Sequence, residues 1–442
     1  MKAFNKYIIS SNAICLLMLL IGAVGAANAQ SLDSLVNAGL QNNQKLKSLA
    51  FKHTEHDARM KKAGAFPAPS VGLQFSQTPF SSPNLLNNAF SQNLVISQMI
   101  PLGGKISAMV DAMHSELPGV HSEIDDVEAQ LTAAIKMSYA KWVQAWQKLE
   151  ILKSNATLLG SLMGLTENQY NTSSQTVTDA LLLQSEQGVL STQIALTAQE
   201  IASQKLLLER YTGVHILTLP DTSWLTAQEP LLSAEEIGKI LDDENPKLRS
   251  MQAMIGMNKA EAVANEKELY PDLMVEGMLM RMPQGMQLTS KTDPAMIDGK
   301  GMTEYMYSVG VSVTLPFLPW ARKGIDAKSE ELLTASNRIS LELNDMRADM
   351  LAQIQNDFDR CKMLRANAAT YLTDVLPKLE HAGESLVQSY RSGNVSVTRL
   401  LEVRKMLLME KMNYFMTLTD AKMAYIEAEM MLGVQLDERN TK

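Results

Sequence analysis

Methionine side chains supply the most unusual chemistry of this 442-residue sequence. Of its 29 methionines, 21 lie at or after residue 251. In the segment 272–282, the even-numbered positions after the first carry four methionines and one carboxylate: Met274, Glu276, Met278, Met280 and Met282. Met306 adds a thioether in the next alternating segment. Thioether sulfur is a soft ligand that suits Cu(I), and Ag(I) by similar chemistry, so the pattern indicates contacts with soft metal ions.

Two histidines form a weaker candidate for metal binding. His53 and His56 lie three residues apart on a predicted helix, and Met60 follows one turn later. This spacing puts the two imidazoles on one helical face. Met109, Met113 and His114 on the following helix could add ligands, but no third ligand can be assigned from the sequence.

Packing is the alternative interpretation of the methionine excess, because Met fills irregular apolar gaps and is widely tolerated. A methionine-rich composition throughout the source organism would also account for the excess. One set of methionines recurs at spacings of 3, 3, 4, 7 and 7 residues and is interpreted as a packing seam: Met406, Met409, Met412, Met416, Met423 and Met430.

The sequence lacks the motifs of the common enzyme classes. It contains no G-x-S-x-G, H-E-x-x-H, C-x-x-C or dinucleotide fingerprint. Gly103-Gly104-Lys105 resembles the end of a phosphate loop, but position 99 is not Gly and position 106 is not Ser or Thr, so a turn is the simpler interpretation. The net charge of −8 argues against nucleic acid as a partner. We therefore expect no enzyme activity, no catalytic residue and no cofactor.

The N-terminus has the pattern of a secretory signal peptide. Lys2 and Lys6 precede an apolar run at 14–21, and Ala27-Asn28-Ala29 forms an A-x-A cleavage site. We expect residues 1–29 to be removed. A membrane anchor is the alternative, but the run is short for a membrane span. Export leaves one cysteine, Cys361, which excludes a disulfide within the chain.

Four segments alternate between apolar and polar residues, which is typical of β-strands. They are 68–77, 90–100, 272–282 and 305–315, and the segments 78–89 and 283–304 that join them in pairs are rich in turn residues. The alternation of the second strand is imperfect, because Gln92 and Gln98 fall on its apolar face. From Gln30 onward no apolar stretch approaches the roughly 20 residues of a spanning helix.

Long helical patterns fill the rest of the chain, and the whole plan is duplicated. The predicted organisation is repeat 1 over 30–212, a linker at 213–231, repeat 2 over 232–434 and a tail at 435–442. In the helix near 176–211, two apolar seams predict neighbours on two sides. One seam comprises Leu182, Val189 and Leu196, and the other comprises Leu183, Leu190, Ile194, Ile201 and Leu208.

The number of strands predicts assembly. Strands of about ten residues can cross a bilayer when tilted. Four strands cannot close a membrane barrel, which takes about eight or more, and an open sheet edge is not viable in lipid. Copies of the chain must therefore pool their strands. The alternative is a soluble α+β protein whose hairpins pack on its own helices, but the long helices would then lack a compact core.

Together these segments resemble the outer membrane efflux proteins, the TolC-like channels. The resemblance covers the whole mature chain and rests on landmarks in duplicated order: Phe66-Pro67 and Tyr270-Pro271 before strands, Ile100-Pro101 and Leu315-Pro316 after strands, Leu376-Pro377, and Tyr390-x-x-Gly393-x-x-Ser396. It implies a mainly α fold with a β-barrel segment. Long coiled-coil helices would form a periplasmic tunnel, and four strands per chain would build a 12-stranded transmembrane barrel in a homotrimer.

The resemblance also implies a place and partners. The channel would lie in the outer-membrane lipid of a Gram-negative bacterium, docked to a periplasmic adaptor and an inner-membrane pump of the RND type. The methionines favour the heavy-metal, copper or silver, branch. An exit duct of a type I protein secretion system shares this architecture and is the alternative function. A secreted coiled-coil structural protein without a pore is the other alternative.

The family closes its periplasmic aperture at the helical tips with acidic rings and salt bridges. The resemblance places Asp179 and Glu186 at the first-half tip, and the 220-residue offset between repeats aligns Asp179 with Arg399, one turn before Glu402. The family has an acid where Arg399 stands. Arg399 facing Asp179 could instead latch the tips by a charge-assisted pair. The alternative is that both are solvated surface charges that contribute little.

Overall fold

The computed structural model describes residues 31–78, 80, 83–86, 89–170, 177–283 and 303–436. The predicted signal peptide, part of the first hairpin loop, most of the second, the last residues of the tail and the tip segment 171–176 lie outside the described residues. Within them, no helix is both long enough and apolar enough to cross a bilayer.

Helices make up most of the described chain. In order, the first elements are α1 Leu32–Asn42, α2 Gln44–Ala63, β1 Ser70–Ser76, β2 Ser91–Pro101, α3 Lys105–Tyr170, α4 Val177–Thr212 and α5 Ser223–Thr226. The remaining elements are α6 Ala234–Glu244, α7 Pro246–Lys267, β3 Asp272–Met282, β4 Glu304–Val313, α8 Pro319–Thr370, a π-helical turn at Tyr371–Val375, α9 Leu376–Arg391 and α10 Val397–Leu432. The predicted mainly α fold with four β-strands is confirmed, and the strand ends differ from the predicted ones by at most two residues.

The chain divides into two compact units. The first, termed the helical unit, comprises the described residues up to Leu49, Ile124–Pro246 and the residues from Arg347 onward. The second, termed the sheet unit, comprises Ala50–Glu123 and Lys247–Met346.

The sheet unit contains one antiparallel sheet in the order β1-β2-β3-β4. Its two faces differ in chemistry. The polar face carries the even-numbered residues of β1, β3 and β4 and the odd-numbered residues of β2. The apolar face is bare in a single chain: Leu73 is 74% exposed, Tyr307 82% and Val309 71%. A large exposed apolar surface of this kind marks a contact with a partner or a membrane.

The two glutamines on the apolar face have hydrogen-bond partners. Gln92 accepts a hydrogen bond from Arg281 over 3.0 Å, and Gln98 donates to the carbonyl of Pro67 over 2.8 Å. Pairing of this kind removes most of the cost of a polar amide on an apolar surface. It explains why the imperfect alternation of β2 is compatible with a strand.

Two apolar clusters hold the helical unit together. The first contains Leu35 of α1, Ile135 and Tyr139 of α3, and Leu208 of α4. The second contains Leu152, Leu183, Tyr390 and Leu400, which come from α3, α4, α9 and α10.

The two predicted seams of α4 differ in burial. Leu183, Leu190 and Leu208 are fully buried, whereas all three members of the other seam, Leu182, Val189 and Leu196, are exposed. One chain therefore supplies neighbours for only one seam.

The methionine seam of α10 is only partly in the core. Met412 packs against the second cluster, but Met406, Met409 and Met416 are about half exposed in the single chain. The prediction that the whole series packs as a seam is wrong within one chain, because the buried stripe of α10 runs through Leu400 and Leu407 instead.

The Tyr-x-x-Gly-x-x-Ser landmark forms the turn between α9 and α10. Tyr390 is buried, and Gly393 has a φ of +77°, the left-handed conformation that favours glycine after a helix. The amide of Asn394 donates to the carbonyl of Ser389 over 2.9 Å, which closes α9 in a Schellman motif. Ser396 then caps α10 by accepting from the amide of Arg399.

Candidate functional site

The strand register defines which side chains share the polar face. Glu276 of β3 lies opposite Ser97 of β2 on one side and Gly310 of β4 on the other. Ser97 in turn faces Ser70 of β1, and their hydroxyl oxygens are 2.7 Å apart. The row through Glu276 therefore consists of one carboxylate among three small residues.

The predicted methionines all lie on this polar face. Met280 is directly opposite Met306, while Met274, Met278 and Met282 follow the same side of β3. The register adds one residue that the sequence analysis had not singled out: Met99 of β2 lies directly opposite Met274. The pairing of β2 with β3, which joins the two repeats, is the information needed to find Met99.

The polar face carries no positive charge among its described strand residues. The strands present carboxylates at Asp272, Glu276 and Glu304 but no Lys, Arg or His on this side. Asp272 is neutralised by Lys105, whose Nζ lies 2.7 Å from Oδ1. For Glu276 no ion pair is recorded among the described residues. This face therefore attracts cations.

Lys105 anchors the start of α3 to the start of β3. Its side chain is 7% exposed, and the ammonium group contacts Asp272 and Glu268, the latter over 3.2 Å. Burial lowers the pKa of Lys105, but the hydrogen bonds and charges of Asp272 and Glu268 outweigh burial and raise the pKa overall.

Gly103, two residues before Lys105, explains why this segment resembles a phosphate loop. Gly103 has a φ of +70°, and a Cβ there would lie 2.2 Å from the Tyr270 ring. The interpretation of this segment as a turn is consistent with these contacts.

The histidine candidates have separate partners. The His53 ring stacks on His121 at 5.1 Å, and its Nδ1 lies 3.6 Å from Asp57. His56 is fully buried and donates from Nε2 to the carbonyl of Met113 over 2.9 Å, while its Nδ1 has no hydrogen-bond partner among the described residues. Met60 is half-buried. Within the described part of the chain, no group of three or more His, Cys, Asp or Glu side chains could hold a metal ion.

The predicted tip residues are all on the helical unit, but they pair differently from the expected latch. Arg399 contacts Glu402 on its own helix over 3.1 Å, and both side chains are exposed. Asp179, in the first turn of α4, has no ion pair among the described residues. Glu186 instead accepts from Lys405 of α10 over 2.6 Å.

Other charged residues of α9 and α10 also have partners among the described residues. Lys411 contacts Glu380 over 2.6 Å, and the half-buried Arg404 donates to the carbonyl of Gly383. Burial lowers the pKa of the Arg404 guanidinium, while Glu384 and Glu380 act in the opposite direction. Arg404 and Lys405 were not predicted from the sequence, because charges on long helices are usually solvated.

Comparison with known proteins identifies the fold. No protein-family model matches the sequence, and no curated protein matches it. Among solved structures, CusC is 16% identical with a TM-score of 0.71, and the match covers 92% of this chain and 93% of CusC. The outer-membrane channel OprN is 15% identical with a TM-score of 0.72, covering 92% of this chain and 90% of OprN.

The open state of the MtrE outer-membrane channel of Neisseria gonorrhoeae is 14% identical, with a TM-score of 0.70 over 92% of this chain and 89% of MtrE. The resemblance to TolC-like channels is therefore confirmed at the level of the fold, which this chain shares over nearly its whole length.

Proposed function

We propose that this chain is the outer-membrane channel of a tripartite efflux system and performs no chemistry itself. The observation that carries the proposal is the four-stranded sheet, polar on one face and bare and apolar on the other, within a chain that has the fold of outer-membrane channels. An apolar outer face beside a polar inner face is the arrangement that membrane barrels require.

The edges of the sheet support a homotrimer. β1 and β4 are the outer strands of the sheet, so each leaves one side open to another strand. Each copy would supply two hairpins, one from repeat 30–212 and one from repeat 232–434. Three copies would pool 12 strands and close a barrel in the outer membrane of a Gram-negative bacterium. The exposed seam Leu182, Val189 and Leu196 would pack against other copies along a periplasmic tunnel.

Partners follow from the same family resemblance. A periplasmic adaptor and an inner-membrane pump of the RND type would supply substrates and energy. The helical tips with Asp179, Glu186, Arg399 and Glu402 would form the aperture that the partners open.

Soft monovalent metal ions, Cu(I) or Ag(I), are the substrate class that the polar face favours. Met274, Met278, Met280, Met282 and Met306 share this face with Glu276, a carboxylate that has no ion pair among the described residues. Deletion of the gene should reduce growth on copper and silver salts and leave growth on unrelated dyes and antibiotics unchanged. A loss of tolerance confined to organic drugs would point to a drug channel, and unchanged export of small toxic compounds with a lost secreted protein would point to a secretion duct.

The membrane assignment is tested by two neighbouring substitutions on opposite faces of β4. Val309→Lys places a charge on the apolar face and should abolish insertion, since lysine in a bilayer midplane costs about 2–4 kcal/mol per copy. Ser308→Lys is the matched control on the polar face and should still insert as a heat-sensitive trimer that needs detergent for extraction. A protein that purifies as a monomer without detergent, or tolerates both substitutions equally, would contradict the channel.

A further inference from the structure

We propose that Met99, Met274, Glu276 and Met278, here termed the 276 cluster, form a binding site for soft monovalent cations on the polar face of the sheet. The proposal rests on the channel function above and deepens it by naming the ion and the residues that select it. The ion is cargo that binds and leaves, rather than a resident cofactor.

The register brings the four side chains together. Met274 and Met278 flank Glu276 on the same side of β3, each two residues away. Met99 lies directly opposite Met274 and diagonal to Glu276. Directly opposite Cβ atoms lie about 5 Å apart and diagonal ones about 7 Å apart, which long unbranched side chains can span. Met99, Met274 and Glu276 can therefore converge on one ion. Met278 lies four residues, or about 13 Å, from Met274 along β3, which is too far for both thioethers to bind that ion, so Met278 binds an ion together with Glu276 on the other side of the carboxylate.

The surroundings leave room for these side chains to move. On β4, the three residues opposite Met274, Glu276 and Met278 are small: Ser312, Gly310 and Ser308. A Cβ added at Gly310 would meet only the Cβ of Glu276, at 3.9 Å. On β2, Ser97 faces Glu276. The cluster is thus a group of long, flexible side chains bordered by small ones, as a site that admits an ion needs.

The composition of the cluster decides which ion it favours. A single carboxylate is a poor site for Ca²⁺ or Mg²⁺, which take about six or more oxygen ligands or keep several waters. Thioethers are soft and uncharged, so they suit Cu(I) and Ag(I) without adding charge. Glu276 supplies one negative charge that matches a monovalent cation, and no basic residue on the described polar face competes for it.

A weak binding site of this kind suits a channel, because a conducted ion must also leave the site. An ion must bind well enough to enter and weakly enough to leave, which favours several similar sites in a row. The second thioether group on the face, Met280 opposite Met306, lies two residues further along β3 and supplies a next position. In a trimer, each level would carry three copies of its group around the lumen.

The test is silver block of the purified channel in planar lipid bilayers. Potassium nitrate replaces chloride on both sides, since chloride would precipitate silver, and silver nitrate is the probe. In the unmodified channel, micromolar Ag⁺ should reduce the potassium current reversibly. The triple variant Met99→Leu, Met274→Leu and Met278→Leu keeps the apolar volume but removes the sulfur, and should raise the half-blocking silver concentration at least tenfold.

Two further variants distinguish the contribution of the Glu276 carboxylate to silver binding from that of the thioethers. Glu276→Gln should lower the potassium-to-nitrate permeability ratio severalfold and weaken silver block. The control triple Met406→Leu, Met409→Leu and Met416→Leu removes exposed thioethers elsewhere and should leave the half-blocking concentration unchanged. Calorimetric titration of each detergent-solubilised variant with silver nitrate gives the binding affinity independently of the pore.

The outcomes distinguish the two proposals. A protein that forms no conducting pore would overturn the channel function. A conducting pore that silver blocks equally in the unmodified protein and in the 276-cluster triple variant would overturn the cluster alone. Loss of block in Glu276→Gln with normal block in the leucine triple would also overturn it, because the site would then be a carboxylate without thioether ligands.

Discussion

Lys405 of α10 donates to Glu186 of α4 over 2.6 Å and so joins two helices of the helical unit near their tips. The Glu186 side chain is only 16% exposed, so its carboxylate depends on this partner more than a surface charge does. This pair is therefore the candidate latch that the structure offers in place of Asp179 with Arg399.

In the proposed channel, removal of this candidate latch should loosen the closed aperture. Lys405→Met leaves the Glu186 carboxylate without its cation, and we expect increased uptake of large antibiotics that the closed channel excludes, together with more frequent openings in bilayers. Lys405→Arg should restore closure. Lys411→Met, which removes a similar pair with Glu380, a carboxylate more exposed than Glu186, is the matched control. Equal leak in Lys405→Met and Lys411→Met would show that Glu186 has no special role.

Arg399 offers an independent test of the aperture. Arg399→Asp would put like charges beside Glu402 and in the tip region of Asp179, and we expect it to raise leak of large antibiotics. The stability effect should be small, within about 0.5 kcal/mol, because the Arg399–Glu402 pair is exposed. The readouts are antibiotic susceptibility and single-channel conductance, and no change in either would remove Arg399 from the gating residues.

Glu229 holds two cations in the interior of the helical unit. It accepts from Arg365 over 2.7 Å and from Lys422, and the Glu229 and Lys422 side chains are 4% and 3% exposed. Lys422 also lies over the Trp224 ring at 4.3 Å. These contacts fix the connector between the repeats onto α8 and α10.

Glu229→Gln should leave two cations without their carboxylate, at a cost of roughly 3–5 kcal/mol. Thermal unfolding followed by circular dichroism should show a clearly lower midpoint. Glu235→Gln, at an exposed position on α6, should leave the midpoint unchanged. A Glu229→Gln midpoint within error of the control would mean that the pair contributes little to the stability of the connector.

Gly103 should be intolerant of any side chain. Gly103→Ala forces a Cβ against the Tyr270 ring and an unfavourable positive φ, with an expected cost above about 1 kcal/mol. Gly72→Ala on β1, where nothing lies within 4 Å of the added Cβ, is the control. Thermal midpoints give the comparison. The double variant Gly103→Ala with Tyr270→Ala should recover part of the loss, and an additive result would exclude the steric explanation.

Asp242 makes a small part of the stability dependent on pH. Hydrogen bonds from Arg347, one of them 2.7 Å long, lower the pKa of this carboxyl against the opposing effect of burial. Because the folded-state pKa is the lower one, the stabilisation is present above the unfolded-state pKa and is lost as the pH falls through the folded value.

Asp242→Asn should therefore lower the unfolding midpoint at neutral pH but not in strong acid. The effect should stay below about 1 kcal/mol, because both side chains are more than a third exposed. Asp243→Asn is the control. A difference between Asp242→Asn and the parent protein that persists in strong acid would exclude the ion pair as its cause.

Local sequence patterns predicted most of the secondary structure correctly. The alternation of Tyr305, Tyr307, Val309 and Val311 already indicated the apolar face of β4, and Tyr390, Gly393 and Ser396 marked a helix–helix turn. Contacts between distant segments were not accessible. Lys105 and Asp272 are 167 residues apart, and only the pairing of β2 with β3 joins them.

The partners of the tip charges could not be predicted from the sequence either. The offset between the repeats aligned Arg399 with Asp179, but a residue offset does not define how each helix is rotated about its axis. In the structure, Arg399 therefore turns to Glu402 while Lys405 faces Glu186. Met99 was missed because only the register across the two repeats places it beside Met274.

The bare apolar face and the open edges of β1 and β4 also have a consequence for biogenesis. In the proposed homotrimer, a single copy carries open strand edges that can pair with any other exposed strand until neighbouring copies cover them. Correct assembly would therefore compete with aggregation.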